Sequence, residues 1–193
     1  MNTSRPLVLI VDDNATNIDL LVNTLQEEYR LGIAKNGLKA LKYAAKHKPD
    51  IVLLDIMMPE MDGYEVCTRL KADPETASIP VMFITAMTET VNKTKGFELG
   101  AVDYITKPFQ AAEVKARIRT HLTLEEMRLQ LKSQNVVLEQ KVAEKTAEIQ
   151  DMLNASIRSM ARMVEIRDPY TAGHQQRVAK LACAIAEEMG LSQ

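Results

Sequence analysis

Ile51-Val52-Leu53-Leu54-Asp55-Ile56-Met57-Met58-Pro59 decides the fold of this chain. Its apolar run, with Asp50 at the head, predicts a strand over 50–54 that is covered on both faces, as the centre of a parallel sheet must be. An aspartate stands at its carboxyl end. The same arrangement recurs along the first 107 residues. Leu7–Val11 leads into Asp12-Asp13, Pro80–Ile84 into Thr85, and Val102–Ile105 reaches Lys107-Pro108, while Tyr29–Ala34 reads as a further short strand. Between these runs the apolar residues step at helical spacing: Ile18, Leu21, Val22 and Leu25, then Leu38, Leu41 and Ala45, then Tyr64, Cys67 and Leu70 before Asp73-Pro74 closes the helix. Five strands alternating with five helices up to about His121 predict an α/β fold, a doubly wound five-stranded parallel sheet.

In such sheets ligands bind in the crevice beyond the carboxyl ends of the strands. Asp12, Asp13, Asp55, Thr85 and Lys107 are therefore expected to converge there. Taken singly, each has an ordinary alternative: a turn or helix-capping aspartate, a strand-end hydroxyl, a solvated lysine. Their shared placement at one sheet edge favours a joint role. Three carboxylates, a hydroxyl and an ammonium suit a hard divalent cation and a phosphoryl group held on an aspartate. Oxygen-only ligation suits octahedral Mg²⁺ with retained waters. The assignment is Asp13 and Asp55 directly on the metal, the backbone carbonyl of Met57 beside them, and Asp12 mostly through water. Asp55 is the expected nucleophile, Lys107 would neutralise a phosphoryl oxygen, and the Thr85 hydroxyl would donate to another. Without metal the acidic cluster should repel itself.

The 193 residues carry a net charge of −2, with 24 basic and 26 acidic side chains. Up to residue 121 there are 15 basic and 16 acidic residues, and 9 and 10 after it. Neither part has the basic excess of a nucleic-acid binder. Cys67 and Cys183 lack metal-ligand spacing and read as unpaired thiols of a reducing, cytoplasmic setting. No export signal and no membrane span is read.

The pattern changes after His121. Residues 122–166 contain neither proline nor glycine, and charges surround a thin apolar stripe: Leu124, Met127, Leu131, Gln134, Leu138, Val142, Lys145, Ile149, Met152 and Ser156. The steps are mostly 3 and 4, with two consecutive fours around Leu138, a stutter between heptad phases. A helix of 45 residues would run about 67 Å, and a parallel coiled-coil homodimer with Leu124, Met127, Leu131, Leu138, Val142, Ile149 and Met152 on its seam would bury the stripe; a helix folding back on its own chain is the alternative. Arg167-Asp168-Pro169 should end it. Thr171 is placed to cap a final helix running to Met189, with Gly190 as its stop. Its apolar face, Val178, Leu181, Ala182, Ile185 and Met189, cannot be buried by one helix, so the sequence reads as ending inside a domain. The expected divisions are 1–121, 122–166 and 167–193.

The ordered set Asp12-Asp13, Asp55 to Pro59 to Asp62-Gly63, Thr85-Ala86 and Lys107-Pro108 resembles the receiver domain of two-component response regulators, a flavodoxin-like fold, over residues 5–121. The resemblance implies phosphate transfer to Asp55 from a phosphohistidine on a sensor histidine kinase or phosphotransfer protein, with Mg²⁺ in the acidic pocket. It also implies that Thr85 and Tyr104 form a switch reporting phosphorylation. Residues 157–193, through Glu165-Ile-Arg-Asp-Pro-Tyr-Thr-Ala-Gly-His174, resemble the opening of HD-GYP phosphodiesterase domains, which hydrolyse cyclic di-GMP with two or three iron or manganese ions. His174 matches an early active-site histidine of that family. Tyr170 stands where some members with a third metal carry a glutamate. The His-Asp pair and the Gly-Tyr-Pro region are absent from these 193 residues, so the chain is not expected to hydrolyse the nucleotide itself. Three other readings remain: a phosphohydrolase of the haloacid-dehalogenase kind, opposed by Met57 where its acid–base aspartate would stand; a phosphorylation-insensitive dimerisation adaptor; and a receiver serving a histidine kinase or transcription factor.

Overall fold

A computed structural model describes residues 5–86, 93–167 and 173–189. The chain divides into two compact units, Met1–Leu129 and Gln130–Gln193.

In the first unit, β1 (Leu7–Val11), α1 (Ala15–Leu25), β2 (Arg30–Ala34), α2 (Gly37–His47), β3 (Ile51–Asp55), α3 (Gly63–Ala72), β4 (Val81–Ala86), α4 (Lys93–Glu98) and β5 (Asp103–Lys107) alternate, followed by the start of α5 (Ala111–Arg167). The five strands form one sheet in the order β2-β1-β3-β4-β5, and every pairing is parallel. This is the doubly wound architecture the apolar runs predict. Every residue of β1 and β3 is buried, which is why these two strands carry no polar alternation. Leu9, Val52, Leu54, Val66, Leu70 and Val81 belong to one core layer; Val8, Ile10, Leu21, Leu53, Ile84 and Ile118 belong to the other.

The first three helices, α1, α2 and α3, are capped by side chains. Asn14 accepts from Thr16 N, Asn36 from Lys39 N and Asp62 from Glu65 N, each satisfying an amide that the first turn leaves open. At the far end of α3, Lys71 Nζ donates to the carbonyls of Ala77 (3.0 Å) and Ile79 (2.6 Å). It thereby ties the α3–β4 connection, and burial lowers its pKa.

The change of sequence character after His121 falls inside the fifth helix. This helix runs without interruption from Ala111 to Arg167. Val114 and Ile118 are fully buried in the sheet's second core layer, and Leu122 packs against the same layer. No residue near 121 can stop a helix, so the last receiver helix and the striped segment are one element.

The second unit contains the remainder of α5 and α6 (His174–Glu188). Leu131, Leu138, Val142, Ile149 and Met152 of α5 are all exposed, as are Ile157, Met160 and Met163 farther on. Val178, Leu181, Ile185 and Met189 at α6 are exposed as well. The N-cap of α6 is Gly173, at φ 82°, with no side-chain cap bond. The expected cap Thr171, together with Asp168-Pro169, Tyr170 and Gly190, lies outside the described residues. Among the described residues, no helix is long and apolar enough to cross a membrane.

Candidate functional site

Parallel pairing brings the carboxyl ends of β1, β3, β4 and β5 to one edge, and with them four of the expected residues into close register. Asp55 is paired with Ile84, one residue before Thr85, and Ala86 with Lys107. Asp12 is fully buried, Asp55 and Thr85 nearly so, and Asp13 is exposed. One oxygen from each of Asp12, Asp13 and Asp55 lies within 4.8 Å of the others. Lys107 Nζ sits between two of them, 3.0 Å from Asp12 Oδ2 and 3.0 Å from Asp55 Oδ1. The bond that follows, Lys107-Pro108, is cis.

The passage after Asp55 is held by backbone bonds. Met58 N donates to Ile56 O at 3.2 Å, Met61 N to Pro59 O at 2.8 Å, and Gly63 N back to Ile56 O at 2.9 Å. Glu60 takes the left-handed region at φ 67°. Gly63 lies so close to the strand end that a Cβ there would stand 2.3 Å from Asp55 O and 2.8 Å from Ile56 Cα. Only glycine permits this approach. Met57 is 65% exposed beside the phosphoacceptor candidate.

The electrostatics of the cluster are unbalanced. Burial pushes the Asp55 carboxyl above its ordinary pKa, Lys107 opposes the rise, and the charges of Asp12 and Asp13 add to it. Burial alone would lower Lys107, yet its hydrogen bonds to Asp55 and Asp12 outweigh that and raise its pKa. Among the described residues, Lys107 pairs with Asp12 and Asp55 but not with Asp13. A further cation would relieve the excess negative charge. The oxygen donors and their spacing are compatible with Mg²⁺.

Residue type and spacing did not single out Asn17. On the first turns of α1, its Nδ2 donates to Asp12 Oδ1 at 3.2 Å and Oδ2 at 2.9 Å. Asn14 N also donates to Asp12 Oδ1, at 2.8 Å. The only sequence signal for Asn17 is an amide four residues past the aspartate pair on a helix whose start faces the crevice.

The other expected site residues lie elsewhere. Tyr104 is half-buried on β5, packs against the first core layer, and meets Phe97 of α4 edge-on with centroids 5.9 Å apart. The amino-terminal end of β5 carries an ion cluster that sequence patterns do not show: Arg117 Nη1 is 3.0 and 2.8 Å from the oxygens of Asp103, and His121 Nε2 is 3.2 Å from Asp103 Oδ2. Burial would raise the Asp103 pKa, but Arg117, the Tyr104 amide and His121 together bring it below the usual carboxylate range. His174 is exposed in the second unit and joins no cluster of metal-ligating side chains among the described residues.

Residues 8–119 match the response regulator receiver domain family, and the chain belongs to it. The chain is 39% identical over 186 residues to a Vibrio cholerae serotype O1 protein named "Probable cyclic di-GMP phosphodiesterase". That similarity covers 96% of this chain but 42% of the Vibrio protein, so the chain spans less than half of that relative's length. Among solved structures, the signal receiver domain of a signal transduction histidine kinase from Syntrophus aciditrophicus is 33% identical with a TM-score of 0.57, covering 61% of this chain and 90% of that one. The receiver domain of sensor histidine kinase PA1611 from Pseudomonas aeruginosa, solved with a magnesium ion coordinated in its active site cleft, is 25% identical with a TM-score of 0.58, covering 62% and 99%.

Proposed function

We propose that Asp55 is the phosphoacceptor of this receiver, with Mg²⁺ held by Asp13, Asp55 and the Met57 carbonyl and with Asp12 reaching the ion through water. The observation that carries the reading is the buried Asp55 carboxylate, 3.0 Å from Lys107 and within reach of two further aspartates. The magnesium ion in the cleft of the Pseudomonas receiver supports it. An Asp55 oxygen forms a bond to phosphorus as the P–N bond of a partner kinase's phosphohistidine breaks, and the departing imidazole keeps the electron pair and takes up a proton. Lys107 then exchanges an Asp55 oxygen for a phosphoryl oxygen, and the Thr85 hydroxyl donates to another. Bound Mg²⁺ would supply the positive charge that lets two anions approach. Thr85 and Tyr104 report the change on the β4–β5 side of the sheet.

The remainder of the reading divides the chain into a receiver (1–121), a dimeric helical rod (122–166) and the opening of an HD-GYP output domain (167–193). The exposed apolar stripe of α5 supports a second copy of this chain as the rod's partner. The similarity to the Vibrio protein extends through the rod and α6, and this supports a cyclic di-GMP phosphodiesterase output in which His174 would serve two iron or manganese ions.

The test of the receiver is incubation with Mg²⁺ and acetyl phosphate, followed by mass measurement. One acid-labile phosphate is expected on the wild type and none on Asp55→Asn. Absence of incorporation in the wild type, or equal incorporation in the variant, refutes the assignment.

A further inference from the structure

Asp12 is the most enclosed acid of the site, and both of its oxygens accept hydrogen bonds. A carboxylate offers roughly four lone-pair positions. Oδ1 takes the Asn14 amide and one contact from Asn17 Nδ2; Oδ2 takes the second Asn17 contact and the Lys107 ammonium. The Asn14 donor is backbone and fixed by the turn. Among the described residues, compensation of the buried charge is thus divided between two side chains, Asn17 and Lys107, and of these two Lys107 also holds Asp55.

This division matters for the cation. Lys107 occupies the space between Asp12 and Asp55, so the ammonium competes with a metal for the same negative charge. The more Asp12 depends on Lys107, the more firmly the ammonium is retained. We propose that Asn17 is a positioning residue for Mg²⁺: by carrying part of the compensation of Asp12 and fixing its carboxylate plane, it lets Lys107 yield to the ion. The inference rests on the Mg²⁺ assignment above. Asn17 acts through Asp12 and Lys107, as outer partners of metal ligands do when they orient and tune them.

The experiment is titration calorimetry of the full chain with MgCl₂, with melting temperatures taken in EDTA. Asn17→Ala should raise the Mg²⁺ Kd about tenfold, the lower end of the effect of removing an outer partner. Asn17→Ser, which keeps one donor, should fall between it and the wild type. Because the effect passes through Lys107, it should shrink to less than about threefold when Asn17→Ala is made in a Lys107→Met background, as coupled neighbours do in a double-mutant cycle. Asn17 donates to a fully buried carboxylate, so Asn17→Ala should also lower the melting temperature in EDTA, and the Kd is the deciding readout. A Kd within twofold of wild type in both Asn17 variants overturns the proposal, as does a full tenfold effect in the Lys107→Met background. A drop in melting temperature with unchanged Kd assigns Asn17 a structural role only and also overturns it. If the wild type itself takes up no Mg²⁺, the metal assignment fails, which is distinguishable from wild-type uptake that is indifferent to residue 17.

Discussion

Replacing Gly63 by alanine tests whether the Asp55 end of β3 is held in place by the first residue of α3. The added Cβ would stand 2.3 Å from Asp55 O and 2.8 Å from Ile56 Cα, both backbone atoms. Ordinary carbon contacts begin near 3.5 Å, so α3 and the strand end must separate by roughly 1 Å. Overpacking of this kind costs about 1–3 kcal/mol, and losing the 2.9 Å bond from Gly63 N to Ile56 O adds about 1 kcal/mol. A loss of about 2–4 kcal/mol is a large share of the roughly 5–15 kcal/mol available to a domain. It corresponds to a fall in melting temperature of about 10 °C or more. Gly37→Ala is the control. Its Cβ would meet Val66 Cγ2 at 2.7 Å and Met61 Sδ at 2.8 Å, side-chain atoms of which the methionine can swing aside. Thermal melts of both variants should place Gly63→Ala well below Gly37→Ala. If Gly63→Ala melts within 2 °C of the wild type, or no lower than the control, the close approach is not what positions Asp55 (the 2 °C limit is about the shift of 0.5 kcal/mol).

Three further outcomes are expected. Leu131→Ala with Leu138→Ala removes two exposed stripe residues from each chain; at about 2–5 kcal/mol per leucine buried in a dimer, light scattering over a concentration series should show dimer becoming monomer, and a monomeric wild type at tens of micromolar would end the coiled-coil reading. Asp103 has a native pKa below its unfolded value, so its contribution is present above about pH 4 and is lost as pH falls through that lowered value. Asp103→Asn should therefore cost about 1–3 kcal/mol at pH 7, and the gap from wild type in denaturant melts should close on acidification; a gap that widens below pH 4 contradicts this. Mg²⁺ at a hundred times its Kd should stabilise the wild type by about 2.7 kcal/mol, and Asp13→Asn should abolish most of that gain in melts at fixed magnesium.

The legible parts of the fold were those where one physical requirement sets residue type. β1 and β3 are covered on both faces, so their sequences are unbroken apolar runs, and Asp12 and Asp55 stand out at their ends. Parallel pairing then brings those ends together without any detail of side-chain packing. Asn17 was not legible, because an asparagine on the first turns of a helix has many ordinary uses and its value here depends on where the Asp12 carboxylate turns. The Asp103–Arg117–His121 cluster was hidden for a similar reason. Its members are 14 and 18 residues apart and meet only because α5 packs beside β5.

The change of character after His121 has a different cause. Sequence composition changes there because the helix exchanges one burial requirement for another, and helical propensity does not register such a change. Val114, Ile118 and Leu122 face the sheet, whereas Leu124 and Met127 are exposed. At 3.6 residues per turn these two sets fall on roughly opposite sides of the cylinder. Between residues 122 and 127 the helix therefore carries the receiver core on one side and the start of the free stripe on the other. No proline, glycine or irregular turn interrupts α5 from Ala111 to Arg167. Under the proposed function, that uninterrupted helix is the constraint by which a change at the β5 end, where Lys107 would leave Asp55, would be read beyond the receiver. A glycine pair inserted after Met127 would relax that constraint: phosphate uptake should persist while any dependence of dimer affinity on phosphorylation disappears, and dependence that survives the insertion would place the coupling on the receiver surface instead.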